Sequence, residues 1–151
     1  MNLEQKITDE MKSAMKSGEK LRLDTLRSIR ASILEFKTSG TNITIGDTEE
    51  INILNSLAKK RKDSINMYEN ANRTELADIE KQELAIIMEF LPKQLNETEI
   101  TEIVKNLIEK TGASGNDGLK LVMGPVMKEL KGKADGSLVQ TIVKNLLGII
   151  S

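Results

Sequence analysis

The chain has 151 residues, with 22 Lys and Arg against 23 Asp and Glu, no His, no Cys, no Trp and three aromatics, Phe36, Tyr68 and Phe90. That inventory excludes Ser-His and Cys-His couples, a CxxC redox pair and the ordinary zinc site, and it leaves no base-stacking platform of the kind single-strand binders use. Catalysis would fall to carboxylates, Lys, Arg, Ser, Thr or one Tyr, with a strongly shifted group needed near neutral pH. No catalytic residue, cofactor or metal is expected, and the composition leans away from a self-sufficient enzyme.

Apolar residues make up 38% and charged residues 30%, near the globular average, and two Pro among many Leu, Ile, Glu and Lys favour helices. The first helix is read from Leu3, Ile7, Met11 and Met15, spaced four apart, and Ser17-Gly18 ends it. Leu26, Ile29, Ile33 and Phe36 mark the second. Ser39 to Gly46 is a loop in which Ile43 and Ile45 form at most a brief extended piece.

Asp47 with Glu50 reads as a capping box opening a long third helix, with a stripe of Leu54, Ala58, Arg61, Ile65 and Tyr68. Asn72 with Glu75 opens a fourth, carrying Leu76, Ile79, Glu83, Ile87 and Phe90. Arg61 and Glu83 each interrupt an apolar stripe. If the two helices pack antiparallel, Arg61 meets Glu83 or Glu80, either as a buried specificity pair or as part of a ligand site. The carboxylates Glu80, Glu83 and Glu89 offer little for acid–base work with Arg61 so near.

Pro92 forces Leu91 out of helical geometry and ends the fourth helix. Asn96 with Glu99 caps a fifth helix closed by Gly112. Gly115-Asn116-Asp117-Gly118 is a turn before a sixth helix of Leu119, Val122, Met123, Met127 and Leu130, which Gly124-Pro125 should kink. After Gly132-Lys133-Ala134-Asp135-Gly136, Ser137 with Gln140 caps a seventh helix of Leu138, Ile142, Val143, Leu146 and Leu147. The prediction is an all-α chain: an amino-terminal four-helix bundle-like part over residues 1–92 and a smaller carboxy-terminal three-helix domain over 93–151.

Charge is unevenly spread. Residues 57–73 carry five positive charges against two negative, 75–109 carry nine carboxylates against three lysines, and 119–151 carry five lysines against two carboxylates. Lys59 and Lys62, three apart on the third helix, share a side on which they can meet two phosphates. Lys128, Lys131 and Lys133 flank a glycine-hinged turn. There the next helix start either receives an anion beside Lys131 and Lys133 or is merely capped by Asp135. With few stacking side chains, any nucleic acid would be held by its phosphates. The candidates are Lys128, Lys131 and Lys133, then Lys59, Lys62, Arg27 and Arg30. No apolar signal-peptide core opens the chain and no stretch approaches a membrane span, so a soluble cytoplasmic protein is expected, without a membrane partner.

Several motifs occur in a specific order: Met11-Lys12-Ser13-Ala14-Met15-Lys16, Arg22-Leu23-Asp24-Thr25-Leu26-Arg27, Lys62-Asp63-Ser64-Ile65, Phe90-Leu91-Pro92-Lys93-Gln94-Leu95, Val122-Met123-Gly124 and Gly132-Lys133-Ala134-Asp135-Gly136. Together they resemble the YqeY-like proteins over essentially the whole chain. One departure is Lys120-Leu121, where that family usually has Gly-Lys. The resemblance implies an all-helical, two-part fold similar to the tail of the GatB component of glutamine-dependent aminoacyl-tRNA amidotransferase, a tail that engages tRNA while catalysis lies in a separate domain. The label of carbon–nitrogen ligase with glutamine as nitrogen donor reaches such families through that shared domain. The expected partners are therefore tRNA or another structured RNA, and an amidotransferase or translation-related protein. A protein–protein adaptor docking through the acidic helices is the other reading.

Overall fold

The structure is a computed structural model and describes residues 2–40 and 44–149. Ile43 lies outside the described residues, and Ile45 sits half-buried in irregular backbone. Among the described residues seven helices follow in order: α1 (Leu3–Ser17), α2 (Lys20–Thr38), α3 (Asp47–Asn70), α4 (Thr74–Met88), α5 (Glu97–Thr111), α6 (Gly115–Leu130) and α7 (Gly136–Leu146). No strand occurs among the described residues. The fold is all-α, and it divides into two compact units, Met1–Leu91 and Pro92–Ser151.

The first unit is made of two helical hairpins, α1 with α2 and α3 with α4, and α2 also packs on α3 and α4. Its core joins Ile7, Leu26, Ile29, Ile33, Leu54 and Ile87, each at most 1% exposed. A capping box starts α1: the Asn2 side chain accepts from the Gln5 N–H, and the Gln5 side chain accepts from the Asn2 N–H. Along α1 the buried residues are Leu3, Ile7, Met11 and Ala14, while Met15 is 54% exposed. Four-residue steps overrun the 3.6-residue turn, so by the third step the stripe has rotated off the core and Ala14 takes the inward place.

α4 shows the same effect. Ala77 is fully buried, whereas Leu76 and Ile79 are 37% and 43% exposed. The face turned to α3 runs through Ala77 and Glu80 to Leu84 and Ile87. The distal part of the α3–α4 hairpin stands outside the main core, with Ile65 and Ala77 buried by the hairpin itself.

Three helix starts differ from the sequence reading by one or two residues. Gly46, not Asp47, precedes α3, and its N–H donates to the Glu49 side chain. Arg73 precedes α4, and Asn72 occupies the hairpin turn at φ 59, in the left-handed region that Asn tolerates. Asp135 caps α7 by accepting from the Ser137 N–H. Short side chains that bond their own backbone compete for each start, so local pattern leaves the register open.

In the second unit, Ile100, Val104, Val122, Val126, Val139 and Val143 form a core closed to solvent. Asn96 caps α5 by accepting from the Glu99 N–H. The stretch from Gly115 to Gly118, read as a turn, is instead the first turn of α6. Gly118 is buried there, and a methyl group on it would lie 2.9 Å from the Ala113 carbonyl carbon. The helix continues through Pro125 to Leu130.

Candidate nucleic-acid interface

The lysine turn after α6 is fastened by residues from the start of the second unit's sequence. Lys131 leaves the helix, Gly132 turns at φ 74, and the Lys133 N–H returns to the Leu130 carbonyl at 2.9 Å. A left-handed φ is costly for a side chain with Cβ, which accounts for glycine here. Gln94, just past the unit boundary, donates from Nε2 to the Gly132 carbonyl at 2.7 Å and to the Pro92 carbonyl at 2.9 Å. The Leu95 N–H donates to the Lys133 carbonyl at 2.8 Å. Two motifs almost forty residues apart are thus one bonded substructure.

Gly132 is buried within it, while Lys128, Lys131 and Lys133 remain exposed, and none of the three is in an ion pair among the described residues. The structure also decides the role of the α7 start. The Asp135 carboxylate occupies the cap and bonds the Ser137 N–H at 2.9 Å, so a negative charge of the chain's own already sits where an incoming anion would dock. The lysines therefore present an exposed cationic ridge rather than a closed anion pocket. Lys120, at the place where the chain departs from the family's usual Gly-Lys, is exposed on the same helix as Lys128.

The weaker candidates belong to the first unit. Lys59 and Lys62 are exposed on α3, and Arg27 and Arg30 are exposed on α2, with Arg27 3.5 Å from Asp24. The run from Lys59 to Lys62 fans out as helical geometry requires. Lys60 lines a groove of about 350 Å³ floored by Phe36, Ile53 and Leu57. Arg61 turns inward.

Arg61 makes the predicted contact with α4. Its Nε donates to Glu83 Oε2 at 2.8 Å and lies 3.6 Å from Glu80 Oε2, and Nη2 donates to Ser28 Oγ at 3.3 Å. The three charged side chains are 17–21% exposed. Glu80 Oε2 is buried without a hydrogen-bond donor. Burial raises the Glu80 carboxyl above its usual range and Glu83 adds to the rise, against the opposing pull of Arg61. A guanidinium bonded to one carboxylate, with a second carboxylate beside it between packed helices, forms a structural polar cluster.

Sequence reasoning missed a second arginine. Arg22 donates from Nη1 to Glu89 Oε2 at 2.8 Å, and from Nη2 to Glu89 Oε1 at 3.0 Å and Glu10 Oε2 at 2.9 Å. It ties α1 and α2 to the residue ending α4, and these hydrogen bonds hold the Glu89 carboxyl below its usual range. Partners 67 residues apart leave no local signal. Among the described residues no group of three acidic, His or Cys side chains is placed to hold a metal ion. No described helix is long and apolar enough to cross a membrane.

Comparison with known proteins adds the lineage. A fungal protein from Pyrenophora tritici-repentis, named altered inheritance of mitochondria protein 41, mitochondrial, is 30% identical over 92% of this chain and 77% of its own length. Its namesake from Vanderwaltozyma polyspora is 28% identical over 68% of this chain and 59% of its own. One component of the glutamyl-tRNA(Gln) amidotransferase of Methanobrevibacter smithii is 44% identical over 54 residues, which is 33% of this chain and 9% of that component. The sequence model of the family described as Yqey-like protein matches residues 4–147, so the chain, all-α and matched almost end to end, belongs to the YqeY-like family.

Proposed function

We propose that the protein is an RNA-holding module, with tRNA or a similarly folded RNA as its ligand, bound through phosphates at the second unit. The observation that carries this reading is the ridge of Lys128, Lys131 and Lys133, exposed and unpaired around a turn that Gln94 and Leu95 fix in place. Lysines on a fixed frame neutralise phosphates without ordering a long loop at each encounter. Further support is the local identity to one component of an enzyme named for tRNA(Gln), although this chain spans only 9% of it. Lys59, Lys62, Arg27 and Arg30 supply a secondary basic surface in the first unit. An amidotransferase or another translation-related protein is the proposed protein partner, the module holding RNA while chemistry proceeds elsewhere. A cytoplasmic site of action belongs to the same proposal. The word mitochondrial belongs to the names of the fungal relatives.

The test is titration of the full chain with tRNA at two salt concentrations. Binding weakens as salt rises, and Lys131→Ala with Lys133→Ala lowers the logarithmic salt slope by about one per lysine removed. Salt-insensitive or absent binding overturns the proposal, as does undiminished binding by the double variant.

A further inference from the structure

The α3–α4 hairpin is longer than the helix layer that covers it. Along α3 that cover begins at Glu50, which accepts from the Leu3 N–H of α1, and ends at Arg61, which donates to Ser28 of α2. α3 runs for 24 residues, about 36 Å, whereas two helices side by side span about 20 Å. Among the described residues, none beyond Ala58 on α3 or before Leu84 on α4 belongs to the main core. The uncovered end has room for one more helix beside α2.

The two sides of that end differ. At about 100° per residue, Glu69 and Lys81 fall on the side away from α2, where they pair at 2.9 Å. The side that α2 covers further along is apolar: Met67 on α3 is 71% exposed, and Leu76 and Ile79 on α4 are exposed with it. On α3 this side leads back through Ser64 and Lys60 to the groove floored by Phe36, Ile53 and Leu57.

Charge around these apolar residues is mostly negative. On α4, Glu75, Glu80 and Glu83 lie within about 70° of the direction midway between Leu76 and Ile79, and Lys81 is about 170° away. The flank of α2 that holds Ser28 adds Glu35 and Asp24, the latter 3.5 Å from Arg27, while Arg30 is about 160° round the axis. Against these stand Arg73 at the hairpin turn, Lys60, balanced by Asp63 on the same helix, and Arg61, already bonded to Glu83. Glu80 keeps a buried oxygen with no donor, and its carboxyl is raised first by burial and then by Glu83. The corner between α2 and the hairpin end is short of positive charge.

We propose that this corner seats a cationic amphipathic helix of a partner protein, laid beside α2 as the third helix of the layer. The inference stands apart from the RNA reading, which concerns the second unit. The partner's apolar stripe covers Met67, Leu76 and Ile79, one end of it reaching the Phe36–Leu57 groove. Lys or Arg on either side of that stripe meets Glu35, Glu75 and Glu80. The same carboxylates repel a nucleic acid, and a second copy seated face to face would set them against their own kind.

The experiment titrates the isotope-labelled full chain with a designed helical peptide of about 18 residues, Leu at every third and fourth position between Lys and Arg. Two control peptides have the same composition with the Leu stripe shuffled, or Glu in place of the cations. The striped cationic peptide is expected to bind at least about tenfold more tightly than either control, shifting backbone amide signals on α2 and the hairpin end. Met67→Lys with Ile79→Lys, both at exposed positions, should melt as the wild type does and bind at least about tenfold more weakly. Glu35→Lys with Glu75→Lys leaves the apolar side chains in place and should weaken binding several-fold, with a smaller dependence on salt. Equal binding of the shuffled peptide overturns the proposal, as do signals that move only elsewhere and undiminished binding by either double variant. A melting temperature lowered by Met67→Lys with Ile79→Lys makes the face a need of the fold and overturns it too. Sedimentation showing self-association that this variant abolishes assigns the corner to a second copy, and tRNA shifting the same amides assigns it to RNA; either result overturns the proposal. Failure of tRNA to bind anywhere overturns the RNA reading alone.

Discussion

Gln94 and Gly132, 38 residues apart, are joined by a 2.7 Å hydrogen bond from Gln94 Nε2 to the Gly132 carbonyl. The bond sits where the chain enters its second unit and where α6 gives way to the lysine turn. Because the same amide also reaches the Pro92 carbonyl, Gln94 fastens the entry segment to the turn that carries Lys131 and Lys133. A basic loop would otherwise lose conformational freedom on every encounter with a polyanion.

Replacing Gln94 with Ala leaves the buried Gly132 carbonyl without that donor. The expected cost is about 1 kcal/mol of stability, and amide exchange should quicken at Leu95, whose N–H bonds the Lys133 carbonyl beside the lost contact. Hydrogen exchange read residue by residue checks this. Unchanged protection at Leu95 would show that the strap does not order the turn.

The legibility of these features differs with the range of the interaction. Helix stripes and glycine or proline stops lie within a few residues, so all seven helices are readable from sequence, with errors where Ala14 and Ala77 take inward places that the pattern assigns to larger neighbours. Arg61 and Glu83 are legible as a pair because each breaks an apolar stripe, and the turn between their helices sets them opposite each other. Arg22 with Glu89 and Gln94 with Gly132 leave no such mark, since exposed arginine and glutamine are ordinary on any helix or loop. The lysines of the candidate interface are visible from composition.

Arg22 is predicted to act as a cross-tie of the first unit. Its partners Glu10 and Glu89 are 44% and 50% exposed at the side chain, so water screens the attraction, and Arg22→Ala should cost only about 1 kcal/mol near neutral pH. The dependence on pH has a definite sign. The Glu89 carboxyl titrates lower in the folded chain than in the unfolded one, so its contribution is complete above the ordinary carboxylate value and is lost as pH falls through the lowered folded value. The stability gap between wild type and Arg22→Ala should be full at pH 7 and narrow progressively below about pH 4.3. Denaturant melts at pH 7, 5 and 3 follow it, and a gap that widens on acidification would contradict this account.

Glu80 should behave in the opposite sense. Its carboxyl titrates higher in the folded chain because burial, and then Glu83, disfavour the charge more than Arg61 favours it. The protonated form is therefore favoured in the folded state, and that contribution is present below the unfolded value and disappears as pH rises through the folded one. At pH 7 the chain holds a buried acceptor, Oε2, with no donor. Glu80→Gln removes the charge and supplies an amide, while Arg61 keeps its 2.8 Å bond to Glu83. The variant should be more stable than wild type by roughly 1 kcal/mol at pH 7, with the advantage fading as pH falls through the raised folded value of Glu80 and gone once pH is below about 4.3. Glu83→Gln serves as the control, because it removes the carboxylate that Arg61 bonds directly and should destabilise at pH 7. If Glu80→Gln is the more damaging of the two, Arg61 relies on Glu80 rather than Glu83, and the cluster is a shared ion triad instead of one satisfied pair with a strained third member.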